Sequence, residues 1–84
     1  MHYMYVLQSE IDKERFYIGC TSNLKRRFAE HNAGQVETTR DSKWRLVYYE
    51  AFLTLSSARK REYRLKASRN AKAQLMRRIL ESLK

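Results

Sequence analysis

Phe16-Tyr17-Ile18-Gly19-Cys20-Thr21-Ser22-Asn23-Leu24-Lys25-Arg26-Arg27-Phe28-Ala29-Glu30-His31-Asn32 is the stretch on which the reading of this chain turns. It reads as a strand that runs into a helix. Tyr17 and Gly19 fall on the strand. Thr21 and Ser22 stand where a helix N-cap belongs. Arg27 and His31 are four apart, so they share one helical face. A phenol, a glycine, a helix N-terminus, an arginine and a histidine are thereby brought together, a combination suited to cradling a phosphate.

Upstream, His2 to Gln8 is short and rich in aromatic and β-branched residues, and reads as a first strand. Tyr3, Tyr5 and Leu7 share one face; Met4 and Val6 share the other. The polar run Ser9–Glu14 reads as a turn, and Arg15–Cys20 as a second strand. The two pair as an antiparallel hairpin, with Tyr5 and Tyr17 on one face if the register permits. Downstream, Ser22 to Ala33 is read as a helix with Ser22 as its N-cap and Gly34 at C′. A polar loop over residues 33–43 leads to a third strand, Trp44–Phe52. Leu55–Ala67 is a second helix with Thr54 or Ser56 as cap. Ser68-Arg69-Asn70 interrupts it, and a last helix follows. Its stripe of Leu75, Met76, Ile79, Leu80 and Leu83 reads as core packing. The order ββαβαα predicts a single small α+β domain over residues 1–84, with a mainly antiparallel sheet flanked by helices.

The 84 residues leave room for a modest core. Cys20 is the only cysteine, which excludes disulfides and fits a reducing, cytoplasmic setting. No apolar run approaches the roughly 20 residues of a membrane span, and Glu10 and Asp12 break any signal-peptide pattern. The net charge is +9. It is unevenly spread: residues 1–53 hold eight Lys/Arg against seven Asp/Glu, whereas residues 54–84 hold ten against two. A polyanion is the natural partner, DNA or RNA first and an acidic membrane surface second; the partner expected overall is DNA, with RNA behind it and no membrane.

Few groups remain for chemistry. One cysteine and two histidines give no zinc spacing, and His2, at the terminus, is assigned no role. A Cys20–His31 thiol–imidazole pair lacks any suggested oxyanion donors, so Cys20 reads as a structural cysteine. Glu62 falls on the inward stripe between Ala58 and Leu65, where a carboxylate is costly unless a cation meets it. An ion pair to an arginine is the plain expectation. The alternative is a single Mg²⁺ whose other ligands are waters and phosphate oxygens. No second inward carboxylate can be placed, which argues against a two-metal site. Tyr5, Tyr17, Arg27, His31 and Glu62 are thus the set from which phosphodiester cleavage could be built.

Tyr3-Met4-Tyr5 and Tyr17-Ile18-Gly19, followed by Asn23–Phe28, Glu30-His31-Asn32, Trp44–Glu50 and Ser57–Glu62, then Lys66 and Ser68-Arg69, resemble the GIY-YIG nuclease family, and its small stand-alone bacterial branch most. The resemblance covers nearly the whole chain. It implies a three-stranded antiparallel sheet flanked by helices, and Mg²⁺- or Mn²⁺-dependent DNA cleavage. It implies that Tyr5 and Tyr17 are the motif tyrosines, Gly19 the motif glycine and Arg27 the phosphate-steadying arginine. His31 corresponds to a histidine of many members, and Glu62 to the metal-binding glutamate. Which tyrosine is the base stays open. Two departures stand out: Tyr3 and Met4 replace the first motif's glycine and isoleucine, and Cys20 replaces a lysine found in the excision-repair branch.

The resulting expectation is a metal-dependent endonuclease of low sequence preference, acting on duplex, nicked, flapped or branched DNA, with repair or recombination as its setting. Lys25, Arg26, Arg59, Lys60, Arg61, Arg64, Lys66 and Arg69 would contact nucleic acid. The alternative is a catalytically weak or inactive nucleic-acid-binding module of the same fold. Oligomeric state is not legible in the sequence.

Overall fold

The computed structural model describes residues 1–84. Its elements are β1 (His2–Ser9), β2 (Phe16–Thr21), α1 (Leu24–Asn32), β3 (Trp44–Phe52), α2 (Leu55–Ala67) and α3 (Arg69–Ser82). The three strands form one antiparallel sheet in the order β2-β1-β3, so the first strand is central. The expected α+β architecture and the order ββαβαα are what the chain adopts.

Alternation along β1 divides the core in two. Met4 and Val6 pack with Ile18, Leu65, Leu75 and Ile79, beneath α2 and α3. Tyr5 and Leu7 pack with Trp44, Tyr17, Leu24 and Phe28, beneath α1. The sheet therefore carries α1 on one face and the α2–α3 pair on the other. In β3, Leu46 lies opposite Leu7 and Tyr48 opposite Val6, with an irregularity between them. A regular strand would put both even-numbered residues on one face; the extra residue lets Leu46 serve the α1 layer and Tyr48 the α2–α3 layer.

Several local expectations are corrected. The α1 cap is Asn23, whose side chain accepts from Arg26 N, and not Ser22. The cause is upstream: β2 runs on to Thr21, whose hydroxyl accepts from Asn23 N and so delays the helix. Gly34 follows the helix with φ +77°, the left-handed conformation that glycine tolerates best. Thr54 and Ser68 cap α2 and α3. On α3, Leu75 and Ile79 are buried but Leu80 and Leu83 are exposed; Leu80, one residue past the buried Ile79, is turned about 100° away from it around the helix. No helix is long and apolar enough to cross a membrane.

Candidate active site

Strand pairing places Tyr5 opposite Gly19 and Leu7 opposite Tyr17, so both phenols lie on the α1 face. Their ring centroids are 6.3 Å apart. The Tyr17 ring stands edge-on to His31 with centroids 4.8 Å apart. Gly19 has ordinary backbone but no space around it. A Cβ there would sit 2.6 Å from Tyr5 Oη and 2.7 Å from its Cζ. The bare glycine is what lets the Tyr5 ring occupy this spot.

Tyr5 Oη is 2.8 Å from His31 Nε2, and His31 Nδ1 is 2.7 Å from Thr39 Oγ1. Thr39 Oγ1 in turn donates to Val36 O at 3.4 Å. With its single proton so used, Thr39 accepts from Nδ1–H, which leaves Nε2 free to accept from Tyr5. Tyr5, His31 and Thr39 are all fully buried, so this file of hydrogen bonds is shielded from bulk water. Burial pushes the Tyr5 phenol up to about 12, although the Arg27 guanidinium beside it pulls the other way. Burial, and then the Arg27 charge, hold His31 below its ordinary value. The resting pair is a neutral phenol donating to a neutral imidazole.

The His31 shift has a stability consequence. The unfolded chain binds a proton at His31 near pH 6.5, whereas the folded chain resists it until lower pH. The stabilisation is complete above pH about 6.5 and is lost as pH falls toward the folded value. Melting temperature should therefore drop from pH 7.5 to 5.5, and His31→Gln should show a shallower drop in the same titration. Equal slopes would assign the loss elsewhere.

Arg27 is held by Glu30 at 3.0 Å, and the same carboxylate reaches Arg26 at 3.7 Å. Arg26, Arg27 and Arg59 line a cleft of about 320 Å³ with Cys20, Thr21 and His2. His2, dismissed on sequence, is thus part of the cleft wall, and its Nδ1 is buried without a partner.

Glu62 arrives from the opposite face of the sheet. Its partner is Lys66, at 2.9 Å, and not the expected arginine. The reason is spacing: Lys66 is one turn along the same helix. The only arginine in a tight carboxylate pair on α2 is Arg61, which grips both oxygens of Glu50. Burial pushes the Glu50 carboxyl up, but Arg61 and Tyr48 outweigh it and leave the group below its usual range. Cys20 lies next to Glu62 and donates to Ala58 O. Burial, reinforced by the Glu62 carboxylate, pushes its thiol up to about 12, so it is a protonated thiol and no nucleophile. His31 and Cys20 belong to opposite faces of the sheet, which disposes of a thiol–imidazole pair.

Of the predicted basic contacts, Arg59, Lys60, Arg64 and Arg69 are exposed, with no ion pair. Lys25 is exposed too, in a separate hollow with Tyr3 and Tyr49. Arg61 and Lys66 are occupied by Glu50 and Glu62. Thr39 escaped the sequence reading entirely; within the polar run 33–43 nothing distinguishes it from Thr38. No group of three or more His, Cys, Asp or Glu side chains could share an ion. A single half-buried carboxylate suits Mg²⁺ or Mn²⁺ retaining its waters, and does not suit zinc.

The chain is similar to several known proteins. The GIY-YIG catalytic domain matches residues 1–76. A UPF0213 protein of Haloquadratum walsbyi is 40% identical over 77 residues, covering 88% of this chain and 84% of its own. One from Lactiplantibacillus plantarum is 45% identical over 76 residues, covering 84% and 73%. The solution NMR structure of a UPF0213 protein from Bacillus halodurans is 35% identical, with a TM-score of 0.55 over 89% of this chain and 81% of that one.

Proposed function

The chain belongs to the GIY-YIG catalytic domain family, and from that premise we propose that it is a metal-dependent endonuclease hydrolysing DNA phosphodiester bonds with low sequence preference. The observation that carries the proposal is the buried Tyr5–His31–Thr39 file ending beside Arg27. A phenol with a pKa of about 12 is a poor base alone. Joined to a neutral imidazole at 2.8 Å, it has somewhere to send its proton. In the proposed reaction Tyr5 passes its proton to His31 Nε2, and the Arg27 charge steadies the phenolate. The phenolate oxygen takes a proton from the attacking water, admitted to this otherwise closed site when a phosphate seats on Arg27; the water oxygen bonds to phosphorus as the P–O bond to the leaving strand breaks, and the leaving oxygen takes its proton from solvent. Arg27 also engages the phosphate with its planar fork, held in place by Glu30. This assigns the base to Tyr5 and leaves Tyr17 to pack the imidazole.

Glu62 would hold the single Mg²⁺ or Mn²⁺, which when bound supplies Lewis-acid stabilisation of charge on the phosphate. Binding would draw the Glu62 carboxylate away from Lys66. Arg26, Arg59, Lys60, Arg64, Arg69 and Lys25 are exposed cations suited to phosphate contacts that carry no sequence information. Arg61 and Lys66 would contribute only on leaving their carboxylates.

Cys20 favours a second reading. A protonated thiol offers no positive charge where the excision-repair branch has a lysine, so the domain could bind nucleic acid with little turnover. The two readings part on cleavage of labelled duplex, nicked, flapped and branched DNA with Mg²⁺, with Mn²⁺ and with EDTA. The nuclease reading expects products only with metal, and a rate about a hundredfold lower for Arg27→Ala, with weaker binding. Salt-sensitive binding without products from any substrate would replace it with the binding-module reading.

A further inference from the structure

The outer face of α2 carries a groove of about 830 Å³. Leu55, Arg59, Lys60, Tyr63, Arg64 and Ala67 line it. Tyr63 is 74% exposed and lies with the exposed Leu55 and Ala67 in this groove, an apolar strip flanked by cations. It is neither in an aromatic pair nor in a hydrogen bond, so the core does not account for it. Arg59 and Lys60 precede it by one helical turn, Arg64 follows it directly, and none of the three makes an ion pair. Ala67, one turn on, leaves the ring's far side open. Two of the lining residues, Leu55 and Arg59, also line the cleft that holds Arg27. The groove therefore adjoins the cleft that holds Arg27.

We propose that this groove receives a single-stranded segment of nucleic acid leaving the cleft, with an unpaired base stacked on Tyr63 and the flanking phosphates met by Arg59, Lys60 and Arg64. The chemistry selects this occupant. Three unpaired cations around one exposed aromatic ring suit a chain of alternating phosphates and bases. A duplex hides its base faces in the stack and has nothing to offer the ring. The proposal deepens the nuclease reading and rests on it: the preferred substrate is a junction whose duplex or strand enters the cleft and whose unpaired tail lies along α2.

The test is binding in EDTA, so that cleavage plays no part. Fluorescence anisotropy compares a blunt duplex with the same duplex bearing a single-stranded tail, in deoxy and ribo forms. Wild type should bind the tailed duplex more tightly than the blunt one. Tyr63→Ala should remove about tenfold of affinity for the tailed form and leave the blunt form within about twofold. Tyr63→Phe should retain the preference, since it keeps the ring. Tyr63→Trp should be quenched by the tail, against the constant signal of Trp44, which is the one native tryptophan and is buried. A preference for one sugar form supports the groove and names its strand. If the tail adds nothing to wild-type affinity, or Tyr63→Ala weakens both forms equally, the groove assignment falls while metal-dependent cleavage of duplex can still stand. If wild type instead self-associates and Tyr63→Ala abolishes that without any tail effect, the face belongs to a second copy and the proposal is overturned. No binding to any form overturns the nuclease reading as well.

Discussion

Glu62→Ala should abolish metal-dependent cleavage, with a loss of at least about a thousandfold, while DNA affinity stays the same or rises slightly. The carboxylate is the only acidic side chain on α2, among Arg59, Lys60, Arg61, Arg64 and Lys66. Removing it takes away a repulsive charge and frees Lys66 from its 2.9 Å contact, and both changes favour a polyanion. The fold should survive, because an ion pair of this partly exposed kind contributes about 0–1 kcal/mol. Glu62→Gln should behave alike, keeping the shape but not the charge. Cleavage and anisotropy run in parallel on both variants decide the matter. A Glu62→Ala protein that still cuts at the wild-type rate would sink the metal assignment.

Gly19→Ala should be nearly as damaging, for a steric reason. The new methyl would meet Tyr5 Oη at 2.6 Å, Tyr5 Cζ at 2.7 Å and Tyr17 Cε2 at 3.1 Å. Tyr5 cannot yield easily: it sits on the central strand, is 1% exposed, and its hydroxyl is tied to His31. Overpacking of this kind costs about 1–3 kcal/mol. Displacing the phenol from Nε2 would cost about a hundredfold or more in rate if Tyr5 is the base. Backbone strain plays no part, since Gly34 is the one glycine at positive φ. Tyr5→Phe separates the two effects, removing the hydroxyl without crowding. Its rate should fall as far as that of Gly19→Ala, with a smaller fall in melting temperature. A Gly19→Ala enzyme with normal rate and melting temperature would show that the close approach is not needed.

Much of this molecule was legible before its coordinates. Period-two alternation in β1 placed Tyr5 and Leu7 against one layer and Met4 and Val6 against the other, whereas the register that sets Tyr5 opposite Gly19 came only with the strand pairing. Arg27 and His31 at i, i+4 brought two functional groups to one helix face without any tertiary knowledge. What stayed hidden depended on contacts distant in sequence. The irregularity in β3 exists because two packed layers compete for Leu46 and Tyr48, and neither residue type announces it. Thr39 became part of the site only because its loop folds beneath His31 and over Trp44, whose Nε1 donates to Thr39 O. Lys66, four residues along α2, reaches Glu62 by helical spacing alone, whereas the arginine partner expected for an inward carboxylate would have had to come from another element. Leu80 and Leu83 fit the apolar stripe, yet the stripe is wider than the face α3 buries: Ile79 is buried and its neighbour Leu80 is not.

The division of the site between the two faces of the sheet has an architectural consequence. Tyr5, His31 and Thr39 form a dry compartment on the α1 side, and Glu62, partly exposed, belongs to a wet one on the α2 side. In the proposed reaction, a substrate touching both would lie across the outer margin of β2, at Gly19. That margin is also a row of backbone groups with no neighbouring strand. Were another chain to extend the sheet there, it would wall off the passage between the compartments. Assembly by strand addition is therefore compatible with an open site only along β3, and the free flank of β2 acts as a doorway that must stay unpaired.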